Sequence, residues 1–192
     1  MAEEAKPAFA NPAPLGLVGF GLTTVLLSLV NAGVLPHAGE QVVLPMALAY
    51  GGLIQLIAGL LEFRTGNTFG TTAFLSYGAF WWWFALLIMF GSHGVLDLSN
   101  AGSTIGAALI GWGVFTFYMW IATFKLSKAL WWVFLTLWVT FLLLGFGTLF
   151  GSHGLGLAGG WVGVVCGLLA MYTSFGLVTN ATFGRTVVPL GA

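Results

Sequence analysis

Six stretches, each about 20 residues long and almost free of charge, decide what this chain can become. They fall at roughly 15–34, 43–61, 71–90, 103–124, 129–149 and 157–179. As helix, about 20 residues rise about 30 Å, the thickness of a bilayer's hydrocarbon core. A helix also satisfies its own N–H and C=O groups, which lipid cannot do for it. The expected fold is therefore all-α and integral to a membrane, with six transmembrane helices per protomer. Charged residues supply 5% of the 192 residues, against roughly 25% in soluble domains, so a water-facing surface is out of reach. Residues 1–10 read as a polar tail without an apolar signal core, and residues 11–192 as one six-helix transmembrane domain.

The charges that exist are placed with a bias. Lys6, Arg64, Lys125, Lys128 and Arg185 all fall on one side of a six-span chain, while His37, His93, His153, Glu40 and Asp97 fall on the other. Basic loops stay in the cytoplasm, so both termini are expected there, in a multi-pass protein of the cell membrane. Zero net charge argues against nucleic acid as a partner. The single cysteine, Cys166, excludes an internal disulfide and a thiolate cluster. No acid stands beside Ser152-His153 to build a triad, and no histidine lies inside a span to hold haem. An enzyme, a metal site and a cofactor are thus all unexpected.

Glycine spacing predicts how the helices meet. Gly156, Gly159, Gly163 and Gly167 repeat every three or four residues in the last span, and Gly52 and Gly59 share a face of the second. Such faces let backbones approach in lipid. Trp81-Trp82-Trp83 sits too deep for an interfacial belt and is expected between subunits or against lipid, whereas Trp131-Trp132 fits a belt. Two pentapeptides recur on the outer side, Phe90-Gly91-Ser92-His93-Gly94 and Phe150-Gly151-Ser152-His153-Gly154. On the inner side Thr68-Phe69-Gly70 is matched by Thr182-Phe183-Gly184. Convergent loop chemistry and an internal duplication both account for them.

The first span carries the most informative face. Asn11 is a plausible N-cap, and proline suits a first helical turn. Gly16, Gly19 and Gly21 strip side chain from one region, and Phe20, Thr24, Ser28 and Asn31 form one stripe, odd against lipid but suited to a pore. Thr23, Gln55, Ser76 and Tyr77 add hydroxyl and amide donors without fixed charge, as conduction of a small anion requires. Glu62 lies at the end of the second span, on the face of Gln55. It is either a structural partner of Arg64 or nearby backbone, or a proton-titrating group at the inner mouth near Asn11.

Asn11-Pro12-Ala13-Pro14-Leu15-Gly16 opening the first span resembles the signature of the acetate uptake transporter family, whose bacterial members are succinate–acetate permeases. The likeness continues through Tyr50-Gly51-Gly52, Gly66-Asn67-Thr68-Phe69-Gly70, Ser76-Tyr77-Gly78, Trp112-Gly113-Val114-Phe115-Thr116 and Phe183-Gly184-Arg185-Thr186. The resemblance implies a ring-shaped homohexamer with a pore inside each protomer. It also implies transport of acetate and related small carboxylates, succinate included, as a channel or with protons. It places a narrow hydrophobic neck at Phe20, Tyr77 and Leu137. Span counting independently sets these three at a shared depth, roughly 8–13 Å from the cytoplasmic side. One departure is Leu135-Thr136-Leu137, where family members often carry Phe-Ser-Leu. Formate or ammonia passage and acetate sensing are the alternatives.

Overall fold

The structure, a computed structural model, describes residues 9–191; most of the basic-and-acidic tail, Glu3, Glu4 and Lys6 included, lies outside them. Six helices are long and apolar enough to cross a membrane: α1 Ala13–Asn31, α2 His37–Thr65, α3 Thr68–Ser92, α4 Gly102–Lys125, α5 Lys128–Phe150 and α6 His153–Phe183. All of the described regular structure is helical. Connections of a few residues reverse the chain at every step except the longer 93–101 loop. Alternation brings Arg64, Lys125, Lys128 and Arg185 to one end of the bundle and His37, His93 and His153 to the other.

The helix ends follow from their punctuation. Asn67 caps α3 by accepting from the Gly70 N–H at 3.0 Å, and Ser127 caps α5 by accepting from the Leu130 N–H at 3.3 Å. At α1 the cap is displaced by one residue from the expectation. Pro12 holds the N-cap position, and Asn11 accepts the Ala13 N–H at 3.0 Å from just outside it. Pro12 carries no side-chain acceptor, so its neighbour supplies one. The C-terminal segment folds back against the bundle. The Lys128 and Ala129 N–H groups donate to the carbonyls of Gly191 and Leu190, both at 2.9 Å. Asn180 accepts from the Val187 and Val188 N–H groups and donates to the Val188 carbonyl. The Lys128 and Ala129 bonds satisfy donors at the start of α5 that a helix leaves unpaired.

Glycine decides where backbones touch. A Cβ on Gly21 would stand 2.8 Å from the Gly167 carbonyl oxygen, and one on Gly160 would collide with the Ala32 backbone nitrogen. α1 and α6 are therefore in backbone contact, and the repeated glycines of α6 serve packing inside the protomer. Gly156 is the exception, with open space before it. Gly52 and Gly59 seat Trp82 and Leu75 of α3.

One expectation needs correction, and one open choice narrows. Trp81 is buried in the protomer's own core, 2% exposed, and packs at right angles on Phe84; Trp82 is exposed, and Trp83 is half-buried against that core. Gly51, without a side chain, leaves the volume that the Trp81 ring fills. The repeated pentapeptides also adopt unlike structures. Gly94 takes the left-handed conformation after α3 ends, whereas Gly151 does so in the second copy and Ser152 then starts α6. On the inner side Thr68-Phe69-Gly70 opens a helix, and Thr182-Phe183-Gly184 closes one. Local loop chemistry explains these matches without a structural repeat.

Candidate functional site

α2 is not a uniform helix. Pro45 lies within it, and Ala47–Ile54 widens into a π-helix before α-helix resumes at Gln55. Proline lacks an N–H, and the wider turn shifts the register, so carbonyls are released from the ordinary ladder. One is recovered by the Trp82 indole, which donates to the Leu48 carbonyl at 3.0 Å. Across from this segment, a Cβ on Gly19 would stand 2.9 Å from the Tyr50 carbonyl oxygen. Gly19 thus lets α1 lie directly on the irregular backbone. The sequence signals were Pro45 and Gly51-Gly52, which a simple span count passes over.

Directly after the π-helical turn, Gln55 points into a cavity of about 70 Å³. A water occupies about 30 Å³ of liquid, so the space suits one small solute or a few waters. Five helices build it, and their sequence order has no bearing on their meeting. Leu17 and Phe20 come from α1, Gln55 and Glu62 from α2, Phe74 and Tyr77 from α3, Phe134 and Leu137 from α5, and Leu177 from α6. It begins at the end of the bundle that carries the basic residues and runs inward to Phe20, Tyr77 and Leu137. Those three side chains are 6%, 3% and 4% exposed and belong to its lining. The Phe20 and Tyr77 ring centroids are 5.9 Å apart, near the separation preferred by tilted aromatic pairs. Phe134 completes an aromatic wall, 6.1 Å from Tyr77.

Polar groups are few here and unusually placed. Gln55 is 1% exposed, and neither its amide oxygen nor its amide nitrogen has a hydrogen-bond partner. Glu62, also 1% exposed, accepts from the Asn67 amide at 2.8 Å and from the Thr65 hydroxyl at 3.4 Å through Oε2, while Oε1 is unpartnered. Its expected partner Arg64 is exposed and makes no ion pair; among the described residues only His37 and Glu40 approach one, at 3.8 Å. A buried polar group without a partner costs about 1–3 kcal/mol. Two such side chains in one apolar pocket mark where a solute or water would recover that energy.

Tyr77 is held differently. Its hydroxyl donates to Thr116 Oγ1 of α4 at 3.0 Å, and Thr116 in turn donates to the Trp112 carbonyl at 2.7 Å. Thr116 was visible in the sequence only as the end of Trp112-Gly113-Val114-Phe115-Thr116, and its pairing across 39 residues was not.

The remaining candidates of the first span lie elsewhere. Thr23 and Thr24 are buried, and each hydroxyl donates to a carbonyl one turn back, Gly19 and Phe20, at 2.8 and 2.7 Å. Ser28 fills the space over Gly163. None of the three lines the cavity. Asn31 sits at the opposite end of the bundle, where it borders two outer hollows, one beside Phe80 and Phe141 and one beside Ser152 and His153. Asn11 stays at the surface, where it accepts the Ala13 N–H from just outside the α1 N-cap.

Residues 1–190 match the GPR1/FUN34/yaaH family. The succinate-acetate/proton symporter SatP of Escherichia coli (strain K12) is 46% identical over 182 residues, covering 95% of each chain. Ammonia transport outward protein 2 of Saccharomyces cerevisiae is 43% identical over 178 residues, covering 90% of this chain and 63% of that one. Among solved structures, the bacterial acetate channel SatP superposes with a TM-score of 0.91 at 44% identity, over 95% of this chain and 99% of that one. With the six-span fold, its glycine contacts and the match along nearly all its length, the chain belongs to the GPR1/FUN34/yaaH family.

Proposed function

We propose that this protein carries small monocarboxylates across the cell membrane, acetate first and succinate as a larger second substrate, through a pore inside each protomer. One observation supports this reading above the others: a buried, unpartnered Gln55 amide facing an apolar cavity that ends at Phe20, Tyr77 and Leu137. Acetate has a carboxylate that accepts from the amide N–H groups and a methyl end that suits apolar walls. A hydrated inorganic ion gains nothing from such walls and loses its water. Glu62 at the mouth is the group that would couple passage to pH, and Asn67 and Thr65 fix its orientation. Thr23, Thr24 and Asn31 are secondary: the threonines shape α1, and Asn31 serves the opposite entrance.

By the positive-inside rule the end with Arg64, Lys125, Lys128 and Arg185 faces the cytoplasm, so the cavity is the inner one. The assembly proposed is a homohexamer, supported by the resemblance and by α4, the least buried of the six helices. Five helices of one chain complete the cavity, so each protomer needs no residue from another.

The test is flux of labelled acetate into proteoliposomes at controlled pH and voltage, against protein-free vesicles. Saturable acetate flux above the vesicle background supports the reading, and flux equal to background refutes it. A second reading, ammonia or ammonium passage, is favoured by one feature: Glu62 and the rings of Phe20, Tyr77 and Phe134 line the same cavity, and rings attract cations. Methylammonium uptake by the same vesicles, without acetate uptake, would favour that reading instead.

A further inference from the structure

The polarity of the Tyr77 hydrogen bond is fixed by the chain of bonds beyond it. Thr116 gives its own hydrogen to the Trp112 carbonyl, so toward Tyr77 it acts only as an acceptor. The tyrosine must donate. Four aromatic rings stand beside it: Phe20 at 5.9 Å, Phe115 at 5.4 Å, Phe134 at 6.1 Å and Trp112 at 6.2 Å between centroids. Such neighbours bound the ring without fixing how far it reaches across the neck. Thr116 Oγ1 is the one polar group bonded to it, and Thr116 is 0% exposed.

We propose that Thr116 is a positioning residue for transport: it holds the Tyr77 ring across the neck and thereby sets which acids pass. The inference rests on the transport reading above and adds a residue outside the cavity to it. In the empty neck the tyrosyl hydrogen belongs to Thr116. A carboxylate arriving at the neck competes for that hydrogen, and Thr116 reclaims it when the solute leaves. A partner that alternates in this way gives a weak site, as conduction requires. No covalent bond changes and no proton is transferred.

The proposal is tested by the ratio of lactate to acetate flux in proteoliposomes containing wild type, Thr116→Val, Thr116→Ser, Tyr77→Phe and the double variant Tyr77→Phe/Thr116→Val. Valine keeps the shape of threonine and removes the acceptor. The lactate-to-acetate ratio should rise about fivefold in Thr116→Val, the factor that one ordinary hydrogen bond supports. Serine, which keeps the hydroxyl, should restore the wild-type ratio. Tyr77→Phe removes the same bond from the other end and should raise the ratio equally, and Thr116→Val should add nothing on that background. A wild-type ratio in a folded Thr116→Val protein overturns the proposal, as does a further rise in the double variant. Should Thr116→Val fail to fold, an unchanged ratio in Tyr77→Phe overturns it alone. Absence of acetate flux in wild type refutes the transport reading itself, a result distinct from normal flux with an unaltered ratio.

Discussion

Leu137 and Glu62 show how little side chain separates structure from function at the residue scale. Leu137 is 4% exposed and lines the cavity together with Phe20 and Tyr77. Shortening it leaves a cavity, which in an ordinary core costs about 2–5 kcal/mol. In a neck the same change opens a passage. Leu137→Ala should therefore admit succinate or lactate faster relative to acetate, measured as competing flux. An unaltered substrate range and rate would make these three residues ordinary core. Glu62 is acidic, buried and without a cation, bound only by Asn67 and Thr65. If it couples passage to pH, Glu62→Gln should flatten the pH dependence of acetate uptake at unchanged protein level. Glutamine keeps the size and one acceptor for Asn67, so the fold should tolerate it. A pH profile identical to wild type would leave Glu62 as a brace for the turn between α2 and α3.

Among elements, α2 and α6 carry the design. α2 gives up regular hydrogen bonding over Ala47–Ile54 and presents Gln55 where the regular helix resumes. Irregular backbone is tolerated at membrane depth only where protein or a cavity covers it, and here α1, through Gly19, and Trp82 cover it. α6 is the spine on which α1 and α5 pack. A Cβ at Gly163 would collide with Ser28 Oγ and stand 3.3 Å from a Thr140 methyl. Gly163→Leu must push α1 and α5 apart. Overpacking costs about 1–3 kcal/mol where neighbours can shift, and more is expected here because two helices share the contact. Thermal unfolding in detergent should show a lower midpoint or loss of folded protein. An unchanged midpoint would mean that this face yields easily. Gly156→Leu, at a glycine facing open space, is the matched control and should be well tolerated.

At the scale of the whole molecule, alternation of six spans sorts charge by end. Arg64, Lys125, Lys128 and Arg185 gather at the end where the cavity begins. Reporters fused near Arg64, Lys125 and the C-terminus should read cytoplasmic, and those near Glu40, Asp97 and His153 external. An external signal at Lys125 would refute the proposed orientation. The outer loop is tied locally. Asp97 accepts from the Ser99 N–H at 3.0 Å, and bonding to Ser99 holds its carboxyl below the usual aspartate range.

The number and order of the helices were legible in the sequence, because a membrane span needs about 20 apolar residues whatever it packs against; their full lengths were not, since α2 and α6 run to 29 and 31 residues, beyond the apolar stretches read at 43–61 and 157–179. The packing role of Gly21, Gly163 and Gly167 was legible for a similar reason, since only small residues let backbones meet in lipid. The convergence of Phe20, Tyr77, Leu137, Gln55 and Glu62 on one cavity was half legible: depth follows from counting along a helix, but rotation about its axis does not. The structure alone decided that Thr23, Thr24 and Ser28 face neighbouring helices, that Trp81 is core, and that α2 unwinds beside Gln55. It alone joined Tyr77 to Thr116. Each of these depends on which helix lies alongside and at what angle. In a chain whose helices are apolar on nearly every face, no periodic stripe says which side turns inward.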